Sequence, residues 1–261
     1  MVPKTLRKLV PYVKKKAPHL ELFSLTQSDS QATGFDFNRT DYGKITAKEE
    51  PMPNTPKAPN ADVYIEQQKR AISSNPDCGN SHYNLGVALL GQGKVEEAEK
   101  SLLASIECSP GLAEAYVQMG GICLKRGDMD GCLDWNQRAV KAKPGFSEGW
   151  GNIGFVLLQR GDVEGAIKAL KKATVFNFRF IQAFATLANA YLMNGQIKES
   201  IETNLKALEL APDFAVAHNN LAIAYLEDGQ PTLAVEHADK ATGLGYEVAP
   251  EILKELEPYR S

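Results

Sequence analysis

Small and apolar residues recur along the chain with a fixed period of 34 positions. One glycine recurs in every period. The residue seven positions before it is small, and the residue eight positions before it is apolar. Five positions after the glycine the residue is small again. The five glycines themselves are Gly93, Gly127, Gly161, Gly195 and Gly229. A fixed period in this range is typical of stacked repeats, and 34 residues suit one helix-turn-helix unit.

Each period contains the pattern of two amphipathic helices. In the first unit Leu85, Gly86 and Leu89 fall at i, i+1 and i+4 on one helical face, and the small residue lets paired helices approach closely. The glycine that follows permits the backbone conformation that ends the first helix. Asp128 and Asp162 come directly after their glycines, where they suit the start of the second helix.

Three fragments carry a family resemblance: Tyr83–Gly86, Trp150–Gly154 and Lys206–Pro212. These fragments are similar to the tetratricopeptide repeat family, and the chain resembles that family over about two thirds of its length. The resemblance implies an all-α fold, a right-handed α-solenoid of helix-turn-helix repeats. The aromatic position of the first helix is occupied, in chain order, by His82, Tyr116, Trp150, Phe184 and His218.

The period divides the chain into repeats and flanking segments. We expect five full units at residues 79–112, 113–146, 147–180, 181–214 and 215–248. A solenoid needs caps where its terminal units lack a neighbour. We expect an N-terminal capping helix within residues 61–78 and a C-terminal one within residues 249–261. Residues 1–60 lack the repeat and have few apolar residues, which predicts an extended or disordered tail.

The charge is unevenly distributed. The net charge is −3, which gives no general case for nucleic-acid binding. Residues 1–60 carry ten Lys and Arg against six Asp and Glu, whereas the remainder carries nineteen against twenty-six. A basic tail on an acidic body suits either a docked tail or an acidic partner. The chain has no long apolar run and no secretory signal pattern, so we expect it in the cytoplasm or at the periphery of a membrane complex.

The tail nevertheless contains apolar residues that could anchor it to a partner or to its own repeat body. Residues 4–16 have the spacing of a basic amphipathic helix, although Pro11 opposes a helix there. Membrane contact through residues 1–16 and a merely solvated end stay open as alternatives. The candidate anchors are Leu6, Leu9, Val13, Phe23, Phe35, Phe37 and Tyr42.

The resemblance implies a groove lined by the first helices of successive units. Amide side chains recur there, and amides donate and accept hydrogen bonds at once, so they can pair with the backbone of an extended peptide. An inherited family preference for asparagine is the alternative explanation. Lys and Arg that would clamp a terminal carboxylate are absent, which favours an internal segment. The candidate groove residues are Tyr83, Asn84, Val87, Gln118, Asn152, Phe155, Thr186, Asn189, Asn219 and Asn220.

Signatures of chemistry do not appear in the sequence. It has no Cys-x-x-Cys, no His-Glu-x-x-His and no phosphate-binding glycine loop. Cys123 and Cys132 suit small core positions rather than a disulfide. We therefore expect no enzymatic activity, no cofactor, no metal and no small-molecule substrate. The expected function is an adaptor or scaffold that binds one or more proteins; the alternative is a permanent subunit of a larger bacterial complex, with the tail wrapped over a partner subunit.

Overall fold

The structure, a computed structural model, describes residues 61–260. This range is helical and contains no strand, which confirms the all-α repeat fold. It ends in a short 3-10 turn, Glu257–Tyr259. The α-helices within it are α1 Ala61–Ser74, α2 Gly79–Gly91, α3 Val95–Cys108, α4 Ala113–Lys125, α5 Met129–Ala142, α6 Ser147–Arg160, α7 Val163–Phe176, α8 Ile181–Met193, α9 Ile197–Leu210, α10 Ala215–Glu227, α11 Pro231–Gly243 and α12 Pro250–Leu256.

The described helices belong to two compact units. Residues 61–144 contain α1 to α5, and residues 145–260 contain α6 to α12. Within both units the helices pair into hairpins, α2 with α3, α4 with α5, α6 with α7, α8 with α9 and α10 with α11. All of the candidate groove residues lie on the first helices of the hairpins.

A glycine turn with a left-handed backbone joins the two helices of each hairpin. Gly161 has φ 84°, and the N–H of Asp162 donates to the carbonyl of Leu157 at 2.9 Å. This is the bond of a Schellman motif, which satisfies a carbonyl that the helix end would otherwise leave unpaired. The glycines at the other four turns have φ between 73° and 77°, with the equivalent bond at 2.8–2.9 Å.

Aspartate caps begin two of the second helices. Asp128 accepts the backbone N–H of Gly131 at 2.8 Å, and Asp162 accepts that of Gly165 at 2.9 Å. Each carboxylate thereby satisfies one of the free N–H groups of a helix start. The positions that the sequence indicated for capping are therefore confirmed in both hairpins.

Inside the hairpins a glycine of the first helix makes room for a large side chain of the second. A Cβ at Gly154 would lie 2.5 Å from Cγ of Leu170, and one at Gly86 would lie 2.7 Å from Cγ of Leu102. Both leucines are fully buried. The paired helices can therefore approach closely because the glycine has no side chain, and the leucine fills the space beside it.

Each of the two compact units is closed at one end by a helix that belongs to no hairpin. In residues 61–144, Ile65 of α1 is buried against Leu85 and Leu89 of α2. In residues 145–260, Ile252 and Leu256 of α12 are fully buried in one cluster with alanines of α11. These helices cover apolar surface that a terminal hairpin would otherwise expose, as a repeat stack requires.

Candidate functional site

The accessible part of the candidate groove lies on α2 and α4, within residues 61–144. Tyr83, Asn84 and Val87 of α2 and Gln118 of α4 are all partly exposed. Tyr83 also packs against the buried cluster that includes Met119 of α4. The two first helices therefore lie side by side, with amides, an aromatic ring and a short aliphatic chain on neighbouring turns.

In residues 145–260 several candidate groove residues are instead buried. The side chains of Asn152, Phe155, Thr186 and Asn219 are all nearly or completely inaccessible. The hydroxyl of Thr186 donates to the carbonyl of Gln182 at 2.8 Å, so its donor is used within its own helix. Asn189 and Asn220 remain partly exposed. A partner approaching these helices would meet fewer free polar groups than the sequence pattern alone suggested.

Asn220 joins neighbouring hairpins. Its amide nitrogen donates to the carbonyl of Ala185 in α8 at 3.3 Å, and it lies 3.5 Å from the amide oxygen of Asn204 in α9. Asn204 is fully buried and donates to the carbonyl of Ser200 at 3.1 Å. A structural role explains Asn220 without a partner, although a role of the amide row in binding stays a prediction.

The sequence interpretation did not single out Asn204 or Asn136. Both are buried at the second-helix position where other repeats have Leu102 and Leu170. A polar residue at a position that is otherwise apolar was the visible signal. Its meaning depends on which neighbouring backbone groups lie within reach, which the sequence does not specify.

The aromatic position of the first helix has a polar function at three repeats. The hydroxyl of Tyr116 donates to the carbonyl of Pro110 at 3.0 Å. His218 makes the same kind of bond, from Nε2 to the carbonyl of Pro212 at 2.9 Å, and His82 makes it to Pro76 at 2.8 Å. These three repeats share a ring with a hydrogen-bonding atom at its tip, which explains why histidine can stand where another repeat has tyrosine, whereas Phe184 has no such atom.

His218 is also paired with His237 of α11. Their Nδ1 atoms lie 2.8 Å apart. Because the carbonyl of Pro212 can only accept, a neutral His218 has its proton on Nε2 and accepts at Nδ1 from His237. Burial, followed by the charges of His218 and Lys240, lowers the pKa of His237 to about 4. His237 is therefore neutral at neutral pH, and its ring packs against those of His218 and Tyr225.

The cysteines of the described residues are free thiols. A hydrogen bond from Ser81 lowers the pKa of Cys78, whereas burial and the charge of Asp128 raise the pKa of Cys123. Within residues 61–260 no group of three metal-ligating side chains is close enough to hold an ion. In the same range, no helix has both the length and the apolar character needed to cross a bilayer.

The candidate anchors of the N-terminal tail, Leu6, Leu9, Val13, Phe23, Phe35, Phe37 and Tyr42, lie outside the described residues. Their assignment to partner contact therefore stays a prediction from the sequence.

Family models match two parts of the chain. A model described as a TPR repeat matches residues 188–229, and one described as a tetratricopeptide repeat matches residues 66–113. No curated protein matches the chain in sequence. The two matched segments lie in different compact units, so the repeat signature is present in both.

Several solved structures have the same fold. The crystal structure of YrrB, described as a TPR protein with an unusual peptide-binding site, is 19% identical with a TM-score of 0.61 and covers 74% of this chain and 99% of that chain. Pseudomonas aeruginosa pilF is 14% identical with a TM-score of 0.64, covering 77% and 97%. MamA from residue 41 to its end, from Desulfovibrio magneticus RS-1, is 24% identical with a TM-score of 0.57, covering 65% and 96%. At these identities the likeness concerns the fold alone.

Proposed function

The chain belongs to the tetratricopeptide repeat family, and we propose that it is an adaptor that holds an extended segment of a partner protein on its first helices. Proteins of this family generally mediate protein–protein interactions, because a stack of helix pairs presents an extended binding surface. The structure of YrrB is described as having a peptide-binding site, so this fold can hold a peptide.

The partly exposed face of α2 and α4 carries the proposal. Asn84 and Gln118 supply donors and acceptors, and Tyr83 and Val87 supply apolar contact, all on adjacent helices. An extended peptide offers an N–H and a carbonyl at each residue, and a side-chain amide can bind both. The partner segment is internal rather than C-terminal, because this face has no Lys or Arg to neutralise a terminal carboxylate.

A peptide selection tests the groove directly. Peptides would be selected from a random displayed library on the full chain, and their Kd values measured by fluorescence anisotropy. Replacing Asn84 and Gln118 together with Ala should weaken binding roughly thirtyfold, because each of the two lost hydrogen bonds contributes about 1 kcal/mol and about 1.4 kcal/mol corresponds to a factor of ten. The matched control is Gln67→Ala with Gln137→Ala, two exposed amides on α1 and α5, outside the first helices of the hairpins. Selected peptides that bind the Asn84 and Gln118 variant with unchanged Kd would remove this face from the proposal.

The tail is proposed as a second attachment to the same partner. Two linked contacts raise the effective concentration of the second without any new strong interaction. Full-length chain with Phe35, Phe37 and Tyr42 replaced by Ala should therefore bind the whole partner more weakly but bind the selected groove peptide with unchanged Kd. Equal affinity of both chains for the whole partner would mean that the tail takes no part.

A further inference from the structure

The C-terminal end of α7 and the turn that follows it expose three apolar side chains within four residues. Val175 is 78% exposed, Phe178 is 73% exposed and Phe176 is 50% exposed. Exposed apolar residues are common singly, but a contiguous group of this kind marks an interaction site. The group lies at the C-terminal end of α7, a second helix of a hairpin, whereas the candidate groove residues belong to first helices.

The other repeats show that the fold does not require these side chains. At the position of Val175, three other repeats have a charged residue, and the last has glycine: Glu107, Lys141, Glu209 and Gly243. At the position of Phe178, three have proline and the last has tyrosine: Pro110, Pro144, Pro212 and Tyr246. Phe176 is the less unusual member, since Leu210 and Leu244 occupy its position in the next two repeats. The third repeat thus differs from its neighbours at its two most exposed apolar residues.

The backbone holds these side chains outward. The side chain of Asn177 accepts the N–H of Arg179 at 3.0 Å, and its carbonyl accepts the N–H of Phe180 at 3.1 Å. Phe180 is buried in a cluster with Ala173 and Ala183, which fixes the far side of the turn. These hydrogen bonds and the buried ring of Phe180 stabilise the turn that carries the exposed residues.

Basic residues precede and follow the apolar tip along the chain. Residues 165–180 contain Lys168, Lys171, Lys172 and Arg179 and no acidic residue. Helical spacing places Lys168, Lys172 and Phe176 in one row, and Lys171 with Val175 in the next. All four basic residues are exposed, and none forms an ion pair with a carboxylate of residues 61–260.

The basic residues of α7 lie behind the apolar tip along the helix, at distances that suit contact with a layer of anions through which the tip projects. With a rise of 1.5 Å per residue, Lys172 lies about 6 Å and Lys168 about 12 Å behind Phe176 along the helix. Lys172 places its Nζ 3.8 Å from the centre of the Trp150 ring, and Lys171 lies 5.6 Å from that of Tyr191. The charges are therefore held near the helix rather than folded over the tip.

We propose that residues 168–179 form a docking surface for an anionic lipid bilayer. Val175, Phe176 and Phe178 enter the interfacial region, while Lys168, Lys171, Lys172 and Arg179 approach the lipid phosphates. A projecting apolar tip backed by positive charge is complementary to a bilayer, which has a negative surface above an apolar interior. An acidic peptide is the less suitable partner, because three side chains that project this far offer no concave surface to enclose it.

Vesicle flotation of the full chain tests the proposal. Vesicles of phosphatidylcholine with about 30% phosphatidylserine should carry the protein to the top of the gradient, and pure phosphatidylcholine should carry much less, because anionic lipid supplies the attraction to Lys and Arg. The variant Val175→Glu with Phe178→Pro should lower the bound fraction at least about tenfold. Both replacements are residues that sister repeats have at the same positions, so thermal unfolding should stay that of the wild type.

The control is Leu103→Glu, which also replaces an exposed apolar residue with a glutamate. Leu103 lies on α3 among acidic residues. This variant should float as the wild type does. The proposal is overturned if the wild type does not float, if Leu103→Glu loses as much binding, or if the Val175 and Phe178 variant floats unchanged. Unchanged flotation would assign the membrane contact to another segment, such as residues 1–16.

Depth quenching separates insertion from simple charge attraction. A tryptophan in place of Phe178 should lose fluorescence with brominated lipids, after subtraction of the signal of the unsubstituted chain. Absence of quenching overturns insertion of the tip. A photo-crosslinking residue at position 178 that captures one protein and no lipid would do the same and would indicate a protein pocket as the receiving surface.

Discussion

The interior of the α6–α7 hairpin and the turn that follows it obey different constraints. Inside, Gly154 and Leu170 repeat the arrangement of Gly86 and Leu102, with a missing side chain opposite a large one. Outside, Val175 and its neighbours depart from what other repeats have at the same positions. Packing fixes the first region, since a change there leaves a clash or a cavity. The second is free of that constraint, so the fold does not require the period to be kept there.

The strongest test of this contrast is the Gly154–Leu170 contact. Gly154→Ala should cost about 1–3 kcal/mol of unfolding free energy, because the new Cβ would overlap Leu170. Leu170→Ala should cost about 2–5 kcal/mol through the cavity it leaves. The double variant recreates the alanine pair found at Ala222 and Ala238, so its cost should be smaller than the sum of the two.

Urea unfolding of the full chain, followed by circular dichroism, measures all three free energies. A double variant whose loss equals the sum would mean that the two residues do not constrain each other. The hairpin interior would then be as tolerant as the turn, and the comparison would fail.

The turn glycines should give a smaller effect. Gly161→Ala should cost about 1–2 kcal/mol, because φ of 84° is a strained conformation for a residue with a Cβ. Gly111→Ala is the matched control: it lies in a connecting turn without positive φ and with open space around it. Its unfolding midpoint in urea should stay at or above that of the wild type. Equal losses at both sites would show that the period of the glycines does not reflect their backbone conformation.

The pair formed by His218 and His237 should make the stability of the fold depend on pH. The folded pKa of His237 is about 4, below the ordinary value of 6.5, so the unfolded chain takes up the proton first. The stabilising contribution is therefore complete above pH 6.5 and declines as pH falls towards 4. The decline by pH 5 should be about 1–2 kcal/mol, because one pKa unit corresponds to about 1.4 kcal/mol and about 1.5 units separate pH 5 from the ordinary pKa of 6.5.

His237→Thr, the residue that the preceding repeat has as Thr203, should show a smaller loss between pH 7.5 and pH 5 than the wild type. His218→Tyr should reduce the loss less than His237→Thr does, because the burial that contributes most to the low pKa of His237 remains. A tyrosine can keep the bond to Pro212, as Tyr116 does to Pro110. Urea midpoints at both pH values give the slopes, with pH 7.5 as the baseline for each variant. Parallel slopes in all three proteins would contradict the depressed pKa.

The same contrast explains what the sequence could predict. The glycine turns and the caps at Asp128 and Asp162 depend on a few neighbouring residues, so they could be predicted from the local sequence. The bond from Asn220 to Ala185 depends on the distance between hairpins, and the burial of Asn152 and Thr186 depends on packing around the first helices. Neither follows from a 34-residue period. The departure at Phe178 was visible in the sequence, but the exposure of Val175 beside it required the structure.

The smallest effect on stability is expected at the proposed docking surface for lipid. Val175→Glu with Phe178→Pro should change the unfolding free energy by less than about 0.5 kcal/mol, because both side chains are largely exposed and other repeats tolerate the replacements. Urea unfolding beside Leu103→Glu provides the measurement and its control. A loss above about 1 kcal/mol would mean that the turn stabilises the hairpin. Its departure from the period would then have a structural cause, and reduced vesicle binding by this variant could no longer be assigned to a lost docking surface.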